Sequence, residues 1–182
     1  MHPPKTTSSA EPIRDRQTVT PEGEPLIELP HGVVFRDAVT HVDDRGMLCE
    51  LFDNRWGFPG GPLCYSYFMT IRPGYAKGWG WHSGYDDRYF IQFGHMETVL
   101  YDERDGSPTR GLIARVVLSE TRRRLMVIPA GVWHASRNLG DREVVVVNFP
   151  TKPYVHQDPD KARLPLDNDR IPYRFPPGTR GG

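Results

Sequence analysis

Cysteine, net charge and long apolar runs are all in short supply in this chain. Its two cysteines, Cys49 and Cys64, form no Cys-x-x-Cys pair, which excludes a disulfide framework and a zinc ribbon. Both fall in stretches that read as strands, so free buried thiols in a reducing compartment are expected. Lysine plus arginine equals aspartate plus glutamate, 23 each, and no global field draws nucleic acid or an anionic membrane to the protein. No apolar run approaches the roughly 18 residues of a membrane span, and no charged-then-apolar signal opens the chain. The expectation is a cytoplasmic protein with neither a nucleic-acid nor a membrane partner. Helical periodicity is scarce as well, and no internal repeat stands out, which argues against bundles and solenoids.

Turn formers take their place. Proline and glycine number 18 each in 182 residues, a length that suits one domain with a substantial core. Residues 1–25 are polar and rich in Pro, Ser, Thr and charge, and read as a flexible tail that cannot offset its ordering entropy, an arm that orders against a partner subunit being the alternative. Strand signals then run through Val33–Phe35, Ala38–Val42, Met47–Phe52, Leu63–Ile71, Tyr89–Phe93, Met96–Tyr101, Leu112–Leu118, Leu125–Ile128 and Val144–Phe149. The valine run Val144–Val147 reads as a fully buried strand or as an edge covered by another subunit. Only Asp158–Arg163 has room for a helical turn. About ten short strands without a long amphipathic helix indicate an all-β barrel or sandwich. The expected domain covers residues 26–176, wrapped on its outside by the Pro-rich stretch from Pro153 to Pro177, with residues 177–182 as a short tail.

The chain is best read outward from Val127 to Asn138, Val-Ile-Pro-Ala-Gly-Val-Trp-His-Ala-Ser-Arg-Asn. Pro129 and Gly131 punctuate a strand-turn-strand passage, and His134 and Asn138 then share a face by the period of two. This spacing resembles the second motif of the cupin (jelly-roll) barrels, whose His points inward. A buried His satisfied by a backbone carbonyl gives the same pattern. Upstream, Gly74, Gly80-Trp81-His82, Asp87 and Gly94 resemble the first cupin motif. Its glycines are in register, its first His is replaced by Gly80 and its Glu by Asp87.

Three stretches narrow the resemblance. Asp43-Asp44-Arg45-Gly46-Met47-Leu48-Cys49-Glu50, Ser107-Pro108-Thr109-Arg110-Gly111 and Ile128-Pro129-Ala130-Gly131-Val132-Trp133-His134 together resemble the dTDP-4-dehydrorhamnose 3,5-epimerase family. That resemblance implies a metal-free homodimeric cupin acting on a 4-keto-6-deoxy sugar carried on thymidine diphosphate. It puts Arg45 and Glu50 on nucleotide-contacting positions, near the partner's pocket, where an Arg fork suits a diphosphate. Pairing of Arg45 with Glu50 is the plain alternative. Lys77 falls where the family has an Arg, and His134 on its buried His. The family's catalytic positions are changed: its base falls on Gly80, its Lys on Asp87 with Arg88 adjacent, and its acid Tyr near Asn148. This chain is therefore a diverged member, not expected to be an efficient 3,5-epimerase.

Three readings stand side by side. In the first, an isomerase or epimerase acts on a deoxysugar nucleotide or similar polar ketone, with His82, Asp87 and His134 as catalytic groups and His82 as replacement base. Its pocket is expected to hold His82, Asp87, Arg88, Tyr101, His134 and Asn148, with Lys77, Trp79 and Trp81 also binding substrate. No cofactor is needed. In the second, His82, Asp87 and His134 form a two-His-one-carboxylate set for a divalent metal (Fe, Mn, Ni or Zn) in an oxygenase or isomerase. In the third, the aromatic residues Trp79, Trp81, Tyr85, Tyr89 and Trp133 serve a sugar- or nucleotide-binding module without chemistry.

Overall fold

The computed structural model describes residue 11 and residues 13–22 and 24–182. The expected flexible tail thus lies partly outside the described residues. Its described part is tied down: the Thr18 carbonyl accepts from the backbone N–H of Leu26, and the Glu24 carboxylate grips Arg122 and Arg124.

Among the described residues thirteen strands form: β1 Val34–Asp37, β2 Thr40–Asp43, β3 Gly46–Cys49, β4 Tyr67–Ile71, β5 Tyr75–Trp81, β6 Asp87–Phe93, β7 His95–Asp102, β8 Ile113–Ser119, β9 Arg124–Ile128, β10 Val132–Asn138, β11 Val144–Asn148, β12 Ala162–Arg163 and β13 Arg180–Gly181. One sheet runs β1-β9-β6-β11-β4. The second runs β12-β5-β10-β7-β8, with β13 also on β5, and the β2–β3 hairpin stands apart. All pairings are antiparallel except β13 with β5. The expected all-β, cupin-like jelly roll is what the chain adopts. Its β-branched and aromatic strands alternate faces, and those facing inward (Ile71, Ile91, Leu100, Leu118, Met126, Val146) pack into one core between the sheets.

Both outer faces are covered as well. The Pro-rich C-terminal stretch lays Ile171, Tyr173 and Phe175 over Trp79, Val99 and Trp133 on the second sheet. Phe52, Trp56 and Phe58 cover Phe90, Leu125 and Phe149 on the first. A three-layer burial follows from a two-sheet fold.

Several expectations need correction. Asp158–Arg163 holds no helical turn; it is extended and joins the edge of β5 as β12. Among the described residues the helical turn is instead Asn54–Trp56, capped by the Asp53 side chain and ended by Gly57 at φ 60°. Cys64 is exposed and outside any strand, and Cys49 is half-buried; both thiols are free. Val144–Val147 lies centrally between β6 and β4, with burial alternating along it rather than complete. The Ser-Pro-Thr stretch proves to be a loop lock. The buried Asp102 accepts from Ser107 Oγ (2.6 Å), Thr109 Oγ1 (2.7 Å) and three Arg104 groups, at 2.8 to 3.1 Å.

Candidate active site

Three strands, β5, β6 and β10, bring the ionisable groups together. Alternation on β6 turns Asp87 and Tyr89 inward, and on β10 it turns His134 and Ser136 inward. Across the pair, His134 faces Gly80 of β5, and Ser136 faces Lys77 after a bulge on the β5 side. His82 follows the end of β5 and leans back over Asp87. The carboxylate Oδ2 of Asp87 lies 3.3 Å from His82 Nε2 and 3.3 Å from His134 Nε2. All three groups are buried, at 4%, 2% and 7% exposure for His82, Asp87 and His134.

The backbone fixes the imidazole tautomers. His82 Nδ1 bonds the Asp160 carbonyl at 2.7 Å, and His134 Nδ1 bonds the Val132 carbonyl at 3.1 Å. A carbonyl only accepts, so each Nδ1 carries the hydrogen and each Nε2, 3.3 Å from Asp87 Oδ2, is left with its lone pair. Oδ1 of Asp87 accepts from Asn148 Nδ2 at 2.7 Å, whereas Oδ2 takes part in no hydrogen bond of ordinary geometry. Burial opposes the charge on Asp87, but His134 and then His82 outweigh it and hold the carboxyl well below the usual carboxylate range. The arrangement can store and move a proton between Asp87 and two imidazoles. It also fits a divalent cation, since the three ligand atoms lie within 4.8 Å of one another.

Gly80 belongs to this geometry. A Cβ there would stand 3.1 Å from His134 Nε2, so the His134 ring uses the room that a side chain at position 80 would need. Below it a cavity of about 170 Å³ is lined by Tyr67, Lys77, Tyr89, His134, Lys161 and Arg163, among others. A wider one, of about 310 Å³, shares Tyr67, Lys161 and Arg163 and adds Tyr65, Tyr85, Lys152 and Tyr154. Burial, then Arg163, lowers the Lys161 ammonium below its ordinary value. Burial and then Asp87 push Tyr67 up to about 12, and raise Tyr85 and Tyr89 further.

Of the residues expected in the site, His82, Asp87, His134 and Asn148 converge, and Lys77 stands at the cavity wall. Arg88 does not. As the neighbour of Asp87 it points to the opposite face, donates to the carbonyls of Phe149 and Gly61 at 2.6 Å each, and stacks on Phe52. Trp79, Trp81 and Tyr101 also face outward, beneath the C-terminal stretch, because they share the face of Trp133. Of the five aromatic residues expected around the pocket, Tyr85 and Tyr89 remain. Arg45 sits on the exposed hairpin bonded to Asp43, not to Glu50, and Glu50 is exposed beside it. The sequence reading missed Tyr67, Lys161, Arg163 and Asp160. Tyr67 was legible as the start of the alternation Tyr67, Met69, Ile71; the others lie in irregular chain without a periodic signal.

No family model matches the chain. It is 35% identical over 138 residues, 75% of its length and 88% of the other's, to the probable low-salt glycan biosynthesis epimerase Agl13 of Haloferax volcanii. The dTDP sugar isomerase of Desulfovibrio desulfuricans G20 superposes with a TM-score of 0.72 at 27% identity, over 79% of this chain and 90% of that one. The fold is shared with the dTDP-4-dehydrorhamnose 3,5-epimerase of Sulfolobus tokodaii, at TM-score 0.64 and 20% identity over 76% of this chain and 80% of that one. The chain belongs to the dTDP-4-dehydrorhamnose 3,5-epimerase family. Within that family it is an epimerase- or isomerase-like cupin, a reading the relatives favour over an oxygenase or a binding module. Among its described residues no helix is long and apolar enough to cross a membrane.

Proposed function

We propose that this family member removes a proton beside the ketone of a nucleotide-linked keto sugar, as an epimerase or isomerase. The observation that carries the reading is the cationic rim next to the His/Asp set. Lys77, Lys152, Lys161 and Arg163 line the two joined cavities, and among the described residues none has a carboxylate within ion-pair distance. Neighbouring cations without counter-ions suit a diphosphate. Tyr65 and Tyr154 flank the wider cavity, where a nucleobase can stack. The sugar then lies in the inner cavity beneath His134.

There His134 Nε2 takes the carbon-bound proton, and Asp87 stabilises the imidazolium that forms. His82 serves less well as base, because its ring stacks on Tyr85, whose hydroxyl stands 3.3 Å from its Nε2, and it does not line the inner cavity as His134 does. Lys77 is the cation available to the enolate oxygen. The working assembly is a homodimer that covers the exposed apolar hairpin (Val42, Met47, Leu48) and sets Arg45 and Glu50 against the partner's cavity. Two free thiols suit a cytoplasmic setting. Titration calorimetry with thymidine diphosphate tests the reading. Binding that weakens with salt and falls at least tenfold in Lys161→Ala and Arg163→Ala is expected; absence of binding by the wild type overturns it.

One observation favours a second reading of the same three residues. Asp87 Oδ2 lacks a hydrogen bond while two Nε2 atoms converge on it, and one proton can satisfy only one of those contacts. His82, Asp87 and His134 would hold a divalent ion, with their Nδ1–carbonyl bonds orienting the rings. Such an ion supplies Lewis-acid polarisation of a substrate carbonyl. Elemental analysis of freshly purified protein decides between the readings: about one equivalent of metal, lost in His82→Ala, supports the second, and none supports the first.

A further inference from the structure

We propose that Tyr67 is a catalytic residue: its phenol returns the proton to the sugar carbon from the side of the cavity opposite His134. The inference rests on the keto-sugar reading above and adds the group that reading leaves open. A base alone can only give the proton back to the face it came from. Inversion needs a donor on the other face.

The position of Tyr67 meets that need. It projects from β4, in the first sheet, into the cavity whose other wall is made by Gly80 and His134 of the second. It also lines the wider cavity, so it stands where the two meet. The other two inner tyrosines are placed differently. Tyr85 stacks on His82 with ring centroids 4.1 Å apart, and Tyr89 stands edge-on to the His134 ring at 5.9 Å. Both therefore keep to the side of the imidazoles.

The hydrogen bonds orient the phenol as a donor. Asn148 Oδ1 accepts from the backbone N–H of Arg88 at 3.0 Å, which settles which end of the amide is oxygen. Its Nδ2 then spends one hydrogen on Asp87 Oδ1 at 2.7 Å and the other on the Tyr67 hydroxyl oxygen at 2.8 Å. Tyr67 is thus the acceptor in that bond, and its own hydrogen points elsewhere. Among the described residues nothing receives it, leaving it for a ligand in the cavity. Burial and the nearby Asp87 keep the phenol protonated up to about 12, so the donor form is the resting form. Tyr67 and Asn148 also stand opposite each other across β4 and β11, which fixes the amide beside the phenol.

The step balances without a co-reactant. The C–H bond beside the ketone breaks, its proton goes to His134 Nε2, and the electron pair enters the enolate. A new C–H bond forms on the opposite face with the Tyr67 proton. The imidazolium then loses its proton to solvent, and the phenolate takes one up.

The experiment compares wild type with Tyr67→Phe on dTDP-4-keto-6-deoxyglucose in D₂O, reading deuterium in the pool by mass spectrometry and epimer by NMR. Tyr67→Phe is expected to bind thymidine diphosphate within about twofold of wild type and to form epimer about 10²-fold or more slowly. Deuterium should still enter the unepimerised substrate, which loss of structure would not allow. Epimer formation within tenfold of wild type overturns the proposal. If Tyr67→Phe does not fold, 3-fluorotyrosine at position 67 keeps the donor and the shape. An unchanged epimer rate with that more acidic phenol would equally sink the idea. A wild type that epimerises alongside an equally active Tyr67→Phe removes Tyr67 alone. A wild type that binds thymidine diphosphate but neither exchanges nor epimerises removes the keto-sugar reading, and the Tyr67 assignment with it.

Discussion

Replacing Asp87 by asparagine separates the charge of the site from its shape. Asparagine keeps an oxygen to accept from Asn148 Nδ2 and puts an amide nitrogen where Oδ2 stands, 3.3 Å from each imidazole Nε2. Because both Nδ1 atoms donate to carbonyls, that nitrogen can give its two hydrogens to two lone pairs. Each neutral hydrogen bond contributes about 0.5–1.5 kcal/mol. Against this stands the lost attraction between a buried carboxylate and a protonated imidazole, of comparable size once its desolvation is counted. The thermal midpoint of Asp87→Asn is therefore expected within about 4 °C of wild type. Catalysis has no such compensation. Without the anion the imidazolium formed at His134 is unsupported, and solvent exchange into the keto sugar should fall by about 10²–10⁴-fold. Scanning calorimetry and deuterium incorporation measured on one preparation decide the matter. Exchange within tenfold of wild type would refute the catalytic role, and a midpoint lower by some 15 °C would make Asp87 a structural ion-pair residue instead.

Three further outcomes follow from the same geometry. Arg88→Met should cost about 2–4 kcal/mol in urea unfolding, because the carbonyls of Phe149 and Gly61 lose a charged donor. The affinity of its folded form for thymidine diphosphate should be unchanged; a tenfold loss would return Arg88 to the binding site. Asp102→Asn should destabilise the Ser107–Thr109 loop at neutral pH. Burial opposes the Asp102 charge, but Arg104, Ser107 and Thr109 hold its carboxyl below the usual range. A carboxyl lowered by folding contributes stability above its unfolded value near 3.9, and the contribution fades as pH falls toward the folded value. The gap between wild type and Asp102→Asn should thus narrow between pH 7 and about pH 3, and a gap that widens refutes the assignment. Light scattering at micromolar concentration should report a dimer that Val42→Glu combined with Leu48→Glu converts to monomer, and a wild-type monomer would contradict the hairpin interface.

The fold was legible because Pro and Gly punctuate short alternating strands, and the glycine frame Gly74 to Gly94 held His82 and Asp87 in register with His134. Alternation states which residues share a face. It does not state which face is interior when both are apolar. The C-terminal stretch buries Trp79, Trp81 and Tyr101 from outside, so their hydrophobicity pointed to the pocket for a reason that belongs to the wrap. Arg88 failed by a single position, since one residue along a strand changes the face. Lys161, Arg163 and Asp160 reach the site from irregular chain, where position is set by tertiary contacts alone. The Ser-Pro-Thr stretch was visible as a motif, and only the Asp102 contacts reveal it as a structural lock.

The most direct test is deuterium entry into dTDP-4-keto-6-deoxyglucose incubated with the protein in D₂O. Among the described residues one imidazole, that of His134, lines the inner cavity, and Gly80 beside it offers no side chain. With His134 as base, enzyme-dependent incorporation is expected at one carbon beside the ketone, abolished in His134→Ala. Rapid incorporation at both carbons, or incorporation that survives His134→Ala, contradicts it.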